Sequence, residues 1–283
     1  MKPLPVPINI LAMMAAAALG ILYGRKLYAR GVRLGLKTDV RQTGLLAVAG
    51  FSCIAISFSL LTLKNFPRAV WLMPATCEYY MVPASWLMTV GTVGFMGGAM
   101  GLMALQQRRL ALWLLPLGCI GVFGGGEWAI QNSPWYKDPE LQAAKVDKDG
   151  VIRQSHGSTC AAAACANVAS KLGIPSTERQ MVECLGTTDD GTSPGQIIHG
   201  MRRLGFECRK RLIHDADFTQ LEPPAVLLVT YGTMPLGHAV AFMGIKDGKA
   251  EIWNPVSGKS LMTREQLAEI WLGHAVEVGK KVE

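Results

Sequence analysis

Gln154-Ser155-His156-Gly157-Ser158-Thr159-Cys160-Ala161-Ala162-Ala163-Ala164-Cys165 sets the fold of the C-terminal half. The run of alanines after Thr159 predicts a helix over 160–172, stopped by Gly173 and Pro175, with Cys160 in its first turn. A helix N-terminus lends partial positive charge to a thiol, and small neighbours let another element or a substrate come close. A buried structural cysteine is the plainer alternative for Cys160 taken alone.

Downstream, Ser176-Thr177-Glu178 opens a second helix that ends near Leu185. Pro194, preceded by Asp190-Gly191-Thr192-Ser193, opens a third, with Ile197, Ile198, Met201 and Leu204 on one face. The period then shortens toward two. Strands are expected over 206–212, 225–231, 239–245 and 250–253, with Lys246-Asp247-Gly248-Lys249 as a hairpin turn between the last two and a closing helix over 263–271. Helices first and antiparallel strands second make an α+β domain over 151–283.

The 283 residues do not share one character. Residues 1–133 hold only Asp39, Glu78 and Glu127 against eleven Lys and Arg, while 134–283 hold eighteen acids against seventeen bases, so the net charge of +7 comes from the apolar half. Positive charge placed between hydrophobic runs speaks for membrane topology and against nucleic acid as a partner. Four runs, near 8–24, 44–63, 83–105 and 110–130, approach the roughly 20 residues a spanning helix needs. The expectation is an all-α four-helix transmembrane domain over 1–133 and a tether over 134–150.

With Arg25, Lys26, Arg30, Arg33, Lys37, Arg41, Arg108 and Arg109 on the cytoplasmic side, the C-terminal domain lies outside the cytoplasm, with the lipid bilayer as a partner. The apolar run near the N-terminus lacks a small-residue cleavage site and reads as an anchor. Gly94, Gly97, Gly98 and Gly101 permit close helix contact. Glu127 reads as an interfacial carboxylate beside Trp128.

Seven cysteines without any C-x-x-C pair or clustered Cys/His spacing point to neither a disulfide scaffold nor a zinc site, and no cofactor is expected. Cys184 and Cys208 are either a disulfide or buried free thiols.

Three further residues join Cys160. Gly237-His238-Ala239-Val240 puts a histidine at the mouth of an apolar strand, where its ring can face a cleft. Alone, it would be an exposed histidine. Asn254-Pro255 ends the partner strand and falls beside His238 in the sheet, where an amide can orient an imidazole. Gln154 stands ahead of Cys160, able to donate, with the Cys160 backbone N–H, to the oxyanion of a tetrahedral intermediate. His156 is too near Cys160 in sequence to be the base, which ordinarily comes from a facing element.

With these residues in view, 154–271 resembles the bacteriocin-processing cysteine peptidases, the papain-like domain that removes double-glycine leader peptides. The resemblance rests on Gln154-x5-Cys160-Ala-Ala-Ala, on Gly186-Thr-Thr-Asp-Asp-Gly-Thr-Ser193 leading to Met201-Arg-Arg-Leu-Gly-Phe206, on Gly237-His238-Ala-Val240, and on Asn254-Pro-Val-Ser-Gly258. It implies a papain-like fold, a peptide or protein substrate, Cys160 as nucleophile, His238 as base, Asn254 as orienter and Gln154 as oxyanion residue.

The chain departs from that family in Thr159-Cys160-Ala161 for the usual Asp-Cys-Gly and in Asn254-Pro255 for the usual Asp-Pro. It also lacks any G-x-x-x-x-G-K-[ST] phosphate loop, so no nucleotide is expected. The expectation is a membrane-anchored cysteine peptidase of a bacterial plasma membrane with its hydrolase domain extracytoplasmic. A transglutaminase-like acyl transferase and a non-catalytic peptide-binding domain are the alternatives.

Overall fold

The structure is a computed structural model that describes residues 6–31, 52, 55, 71–106, 145–188, 191–232 and 234–280. The chain divides into two compact units, Met1–Lys2, Pro67–Tyr79 and Ser133–Glu283 forming one, Pro3–Phe66 and Tyr80–Asn132 the other.

The second unit contains α1 (Val6–Ala29) and most of α2 (Ala75–Gln106). These helices meet through glycine. A β-carbon on Gly20 would stand 2.0 Å from the Phe95 carbonyl oxygen, and one on Gly98 2.1 Å from that of Ala17, so any larger residue would force the two backbones apart. Gly94 makes the same approach to Met13.

Two of the four expected spans, near 8–24 and 83–105, fall inside α1 and α2; those near 44–63 and 110–130 lie outside the described residues apart from 52 and 55, as does Glu127. Among the described residues no helix is long and apolar enough to cross a membrane. The expected four-helix transmembrane domain is therefore not part of the described structure. Two physical details differ from the expected spans: α1 runs on past residue 24 to take in Arg25 and Lys26, and α2 begins at Ala75, ahead of residue 83, so that Glu78 lies in its first turn.

The first unit is an α+β domain. Helices α3 (Cys160–Lys171), α4 (Glu178–Leu185) and α5 (Pro194–Arg203) precede strand β1 (Phe206–Leu212). Two 3-10 turns, His214–Ala216 and Phe218–Gln220, follow, and then β2 (Ala225–Tyr231), β3 (Met234–Lys246), β4 (Lys249–Asn254), β5 (Gly258–Met262), a short α6 (Arg264–Ala268) and β6 (Trp271–Lys280). All neighbouring strands are antiparallel, in the order β1-β6-β2-β3-β4-β5.

Period-two alternation sorts the side chains. Val226 and Leu228, with Ala239, Ala241 and Met243, face the three helices. Ala225, Leu227 and Val229, with Val240 and Phe242, turn the other way, under Phe218, Leu221 and Leu267. Between β3 and β4, Asp247 and Gly248 both take positive φ (53° and 72°), the two-residue turn that an Asp-Gly pair favours.

Two strands were not expected. β6 was taken up in part by the expected closing helix over 263–271, which in the structure is only Arg264–Ala268. It lies between β1 and β2 and is buried on both faces, so its residues do not alternate between core and solvent. The short edge strand β5 is mostly polar.

The segment Trp71–Tyr79 belongs to this same unit. The Glu78 carboxylate, 3% exposed, accepts the Gly195 N–H at 2.8 Å near the start of α5 and pairs with the Lys210 ammonium. Lys210 also lies over the Trp71 ring, which meets His274 edge-on at 4.7 Å.

Candidate active site

Cys160 is the first residue of α3, and the alanines behind it are there for packing: Ala161, Ala162, Ala163 and Ala164 are all buried against the sheet at 2% exposure or less. A larger side chain would push the helix off β3. Thr159 does not cap α3; its hydroxyl donates to the His156 carbonyl at 2.9 Å and accepts the His156 N–H, closing a tight turn before the cysteine.

The helix tip reaches β3 beside His238. The backbone N–H groups of Ala239, the residue after His238, and of Ala161 and Cys160 at the helix tip lie near the Cys160 sulfur. Burial pushes the Cys160 thiol above its ordinary range, and these nearby N–H groups oppose that rise without overcoming it. The lowering expected from the helix end is therefore not found: desolvation by burial decides the direction.

Acidity does not single Cys160 out. Burial raises Cys165, Cys184 and Cys208 as well, Cys208 to about 12. What distinguishes Cys160 is that it is only partly buried and lies at a helix tip, near the backbone of the residue after His238. Cys184 and Cys208 are free, and the Cys184 thiol donates to the Gly200 carbonyl.

His238 is 7% exposed. Its Nε2 lies 3.0 Å from Asn254 Oδ1, a bond that fixes the ring and leaves Nδ1 as the nitrogen not engaged by Asn254. Desolvation holds the imidazole below its ordinary pKa, and the Asn254 bond works in the opposite direction. Burial therefore disfavours both the thiolate and the imidazolium in the resting site. Asn254 Oδ1 also accepts the Val256 N–H at 2.9 Å, so one amide holds both the ring and the turn after β4.

Gln154 belongs to the segment leading into α3. Its backbone N–H donates to the Pro255 carbonyl at 3.2 Å, which ties it to the Asn254 turn. Its side-chain Nε2 donates to the His156 carbonyl at 2.9 Å, and its Oε1 is buried with no hydrogen-bond partner among the described residues. An oxyanion role requires the amide to turn away from His156. The cavity beside it, about 370 Å³, is lined by residues 153–157, 255 and 256. His156 is exposed and bonded through Nδ1 to the Ser158 hydroxyl.

Sequence reasoning missed the buried residues that hold this segment. Asn167 on α3, fully buried, accepts the Ile152 N–H at 2.8 Å and donates to the carbonyls of Ile152 and Ala163. Glu178, 2% exposed, accepts the Ser155 N–H at 2.8 Å through one oxygen and the Ser155 hydroxyl through the other. A polar side chain inside the alanine-rich helix was the only signal for Asn167. Nothing in the sequence links Glu178 to Ser155. Among the described residues, no cluster of His, Cys, Asp and Glu is suited to a metal ion.

Residues 148–283 match the family model of the Peptidase C39 family. Uncharacterized proteins of Methanothermobacter marburgensis and Methanothermobacter thermautotrophicus are each 25% identical, over 131 and 138 residues, or 46% and 49% of this chain and 89% and 94% of their own lengths. Among solved structures, a double glycine motif protease from an AMS/PCAT transporter in complex with the leader peptide is 21% identical with a TM-score of 0.42, over 48% of this chain and 93% of its own. The peptidase domain of Streptococcus ComA, a bi-functional ABC transporter, is 24% identical with a TM-score of 0.41, over 46% and 96%.

Proposed function

We infer, from the premise that residues 148–283 are a Peptidase C39 domain and so a cysteine-type peptidase, that this protein is a membrane-anchored enzyme cleaving peptide bonds through an acyl-enzyme on Cys160. The observation that carries the assignment of residues is the 3.0 Å bond between His238 and Asn254 beside the strand residue whose N–H lies near the Cys160 sulfur.

His238 takes the thiol proton as sulfur attacks the peptide carbonyl, then gives that proton to the departing amine. The carbonyl oxygen, negative in the tetrahedral intermediate, is held by the Cys160 backbone N–H and by Gln154 once its amide has left the His156 carbonyl. Water, deprotonated by His238, then releases the acid product and restores the thiol. Desolvation of the resting pair favours proton transfer at the moment of attack over a standing thiolate–imidazolium pair.

The anchor reading rests on the apolar, cation-bearing first half, whose charge distribution supports an extracytoplasmic peptidase domain. The full-length protein in detergent should release amine from peptides and take up a thiol-directed active-site probe, both lost in Cys160→Ala. Failure of both in the wild type sinks the proposal. Activity of a cytoplasm-restricted reporter fused after Glu283 would reverse the orientation.

A further inference from the structure

Glu178 is the first residue of α4, yet it is not needed to cap that helix. Thr177 and Gln180 already do so reciprocally, Thr177 accepting the Gln180 N–H at 3.2 Å and Gln180 accepting the Thr177 N–H at 2.9 Å. Its carboxylate turns instead toward a residue 23 positions upstream, using one oxygen for the Ser155 N–H and the other for the Ser155 hydroxyl. Burying a carboxylate is costly, and the positive end of α4 together with two donors offsets that cost here.

Ser155 follows Gln154 directly, and the segment is held at three points. Asn167, on the helix that carries Cys160, grips Ile152 by both backbone groups. Pro255, next to Asn254, accepts the Gln154 N–H. Glu178 grips Ser155. Two of these supports come from elements that already carry candidate catalytic groups, whereas α4 contributes nothing else to the site. With the backbone fixed on both sides of Gln154, rotation of its side chain is the remaining freedom. In its present position the amide leaves its buried Oε1 without a partner among the described residues, so turning away from the His156 carbonyl costs it a single bond.

We propose that Glu178 is a positioning residue for the oxyanion site, setting through Ser155 the backbone from which the Gln154 amide swings from the His156 carbonyl to the tetrahedral intermediate. This inference rests on the proposed role of Gln154. Glu178 does not touch substrate; it determines where Gln154 can reach. A carboxylate that only fastens α4 to the rest of the domain would have no such selective effect.

The test uses the full-length protein and four variants, Glu178→Ala, Glu178→Gln, Gln154→Ala and the double variant Glu178→Ala/Gln154→Ala. Each is measured for kcat and KM on a peptide, for affinity toward a peptide aldehyde, whose thiohemiacetal needs the oxyanion site, and for Cys160 alkylation by iodoacetamide, which does not. Removal of an oxyanion donor costs about 100- to 1,000-fold in kcat. Because Glu178 acts at one remove, Glu178→Ala should lose about 10- to 100-fold in kcat and weaken aldehyde binding in parallel, with KM and the alkylation rate within about twofold. Glu178→Gln, which keeps the volume and one acceptor oxygen, should recover part of the loss.

In the Gln154→Ala background the Glu178 substitution should add under about twofold, because its intermediary is gone. Multiplicative losses in the double variant, or alkylation falling together with kcat, overturn the inference. Should Glu178→Ala fail to fold, Glu178→Gln and Ser155→Ala carry the same comparison. A wild type without Cys160-dependent hydrolysis overturns the proposed function and this inference with it; Cys160-dependent hydrolysis with multiplicative losses overturns the inference alone.

Discussion

Replacing Asn254 by alanine removes the acceptor 3.0 Å from His238 Nε2 and, with it, the acceptor of the Val256 N–H. The second loss is small, since Val256 is exposed and water can take the place of the amide. The first matters when His238 carries charge during the reaction, and a hydrogen bond to a charged group is worth about 1.5–3 kcal/mol. At about 1.4 kcal/mol per decade of rate, that is roughly a 10- to 150-fold loss. The lower half of that range is expected, because the ring keeps its burial and its contact with Tyr231 at 5.6 Å between centroids.

The assay is kcat/KM on a peptide across pH. Neutral His238 is the required base, and desolvation holds it below its ordinary 6.5, so the acid limb of the wild-type profile lies below pH 6.5. Asn254→Ala removes the influence that raises the imidazole pKa and moves the limb lower; Asn254→Asp adds negative charge and moves it higher. The unfolded chain takes up this proton first, so the His238 contribution to stability becomes unfavourable as pH falls through 6.5 toward the depressed folded value. An Asn254→Ala enzyme within about twofold of wild type, or limbs that do not move, would refute the reasoning.

Asn167→Ala strips the buried Ile152 N–H and carbonyl of their partners and should cost about 2–5 kcal/mol, read as faster hydrogen exchange at the Ile152 amide and along α3. Lys210→Met strands the buried Glu78 carboxylate and should destabilise the unit by about 3–5 kcal/mol in thermal unfolding, an effect that Glu78→Gln in the same chain should reduce. Gly273 sits at φ +83°, and a β-carbon there would stand 1.8 Å from the Ile213 carbonyl oxygen, so Gly273→Ala should cost more than about 2 kcal/mol; unchanged melting would contradict that packing. Gel mobility should be the same with and without reductant, and native labelling should reach Cys160 before the buried Cys165 and Cys208.

Local chemistry made much of the fold legible. Pro194 after Ser193 marked the start of α5, and Asp247-Gly248 marked a turn. The pairing of His238 with Asn254 followed from placing that turn between β3 and β4. β6 was not legible, because Gly273 inside it reads as a break and the expected closing helix ran into its first residue, Trp271. Glu178 and Ser155 were hidden for another reason: their contact joins the first turn of α4 to the segment before α3, an approach fixed only once those two helices have packed. The same holds for Glu78, which in the sequence is one acid in an apolar half and in the structure the partner of Lys210.

That last pairing makes the hydrolase unit discontinuous along the chain, and the order of synthesis follows from it. Trp71 through Tyr79 leave the ribosome well before Lys210, His199 and His274 exist to receive them, so this part of the unit can close only after nearly the whole polypeptide has been made. A fragment started at residue 148, where the family match begins, would leave out Trp71 and Glu78 and would uncover the His274 edge and the Lys210 ammonium. Supplying residues 67–79 as a separate peptide is the natural remedy for a poorly behaved fragment, by the logic of complementation between two halves of a split protein.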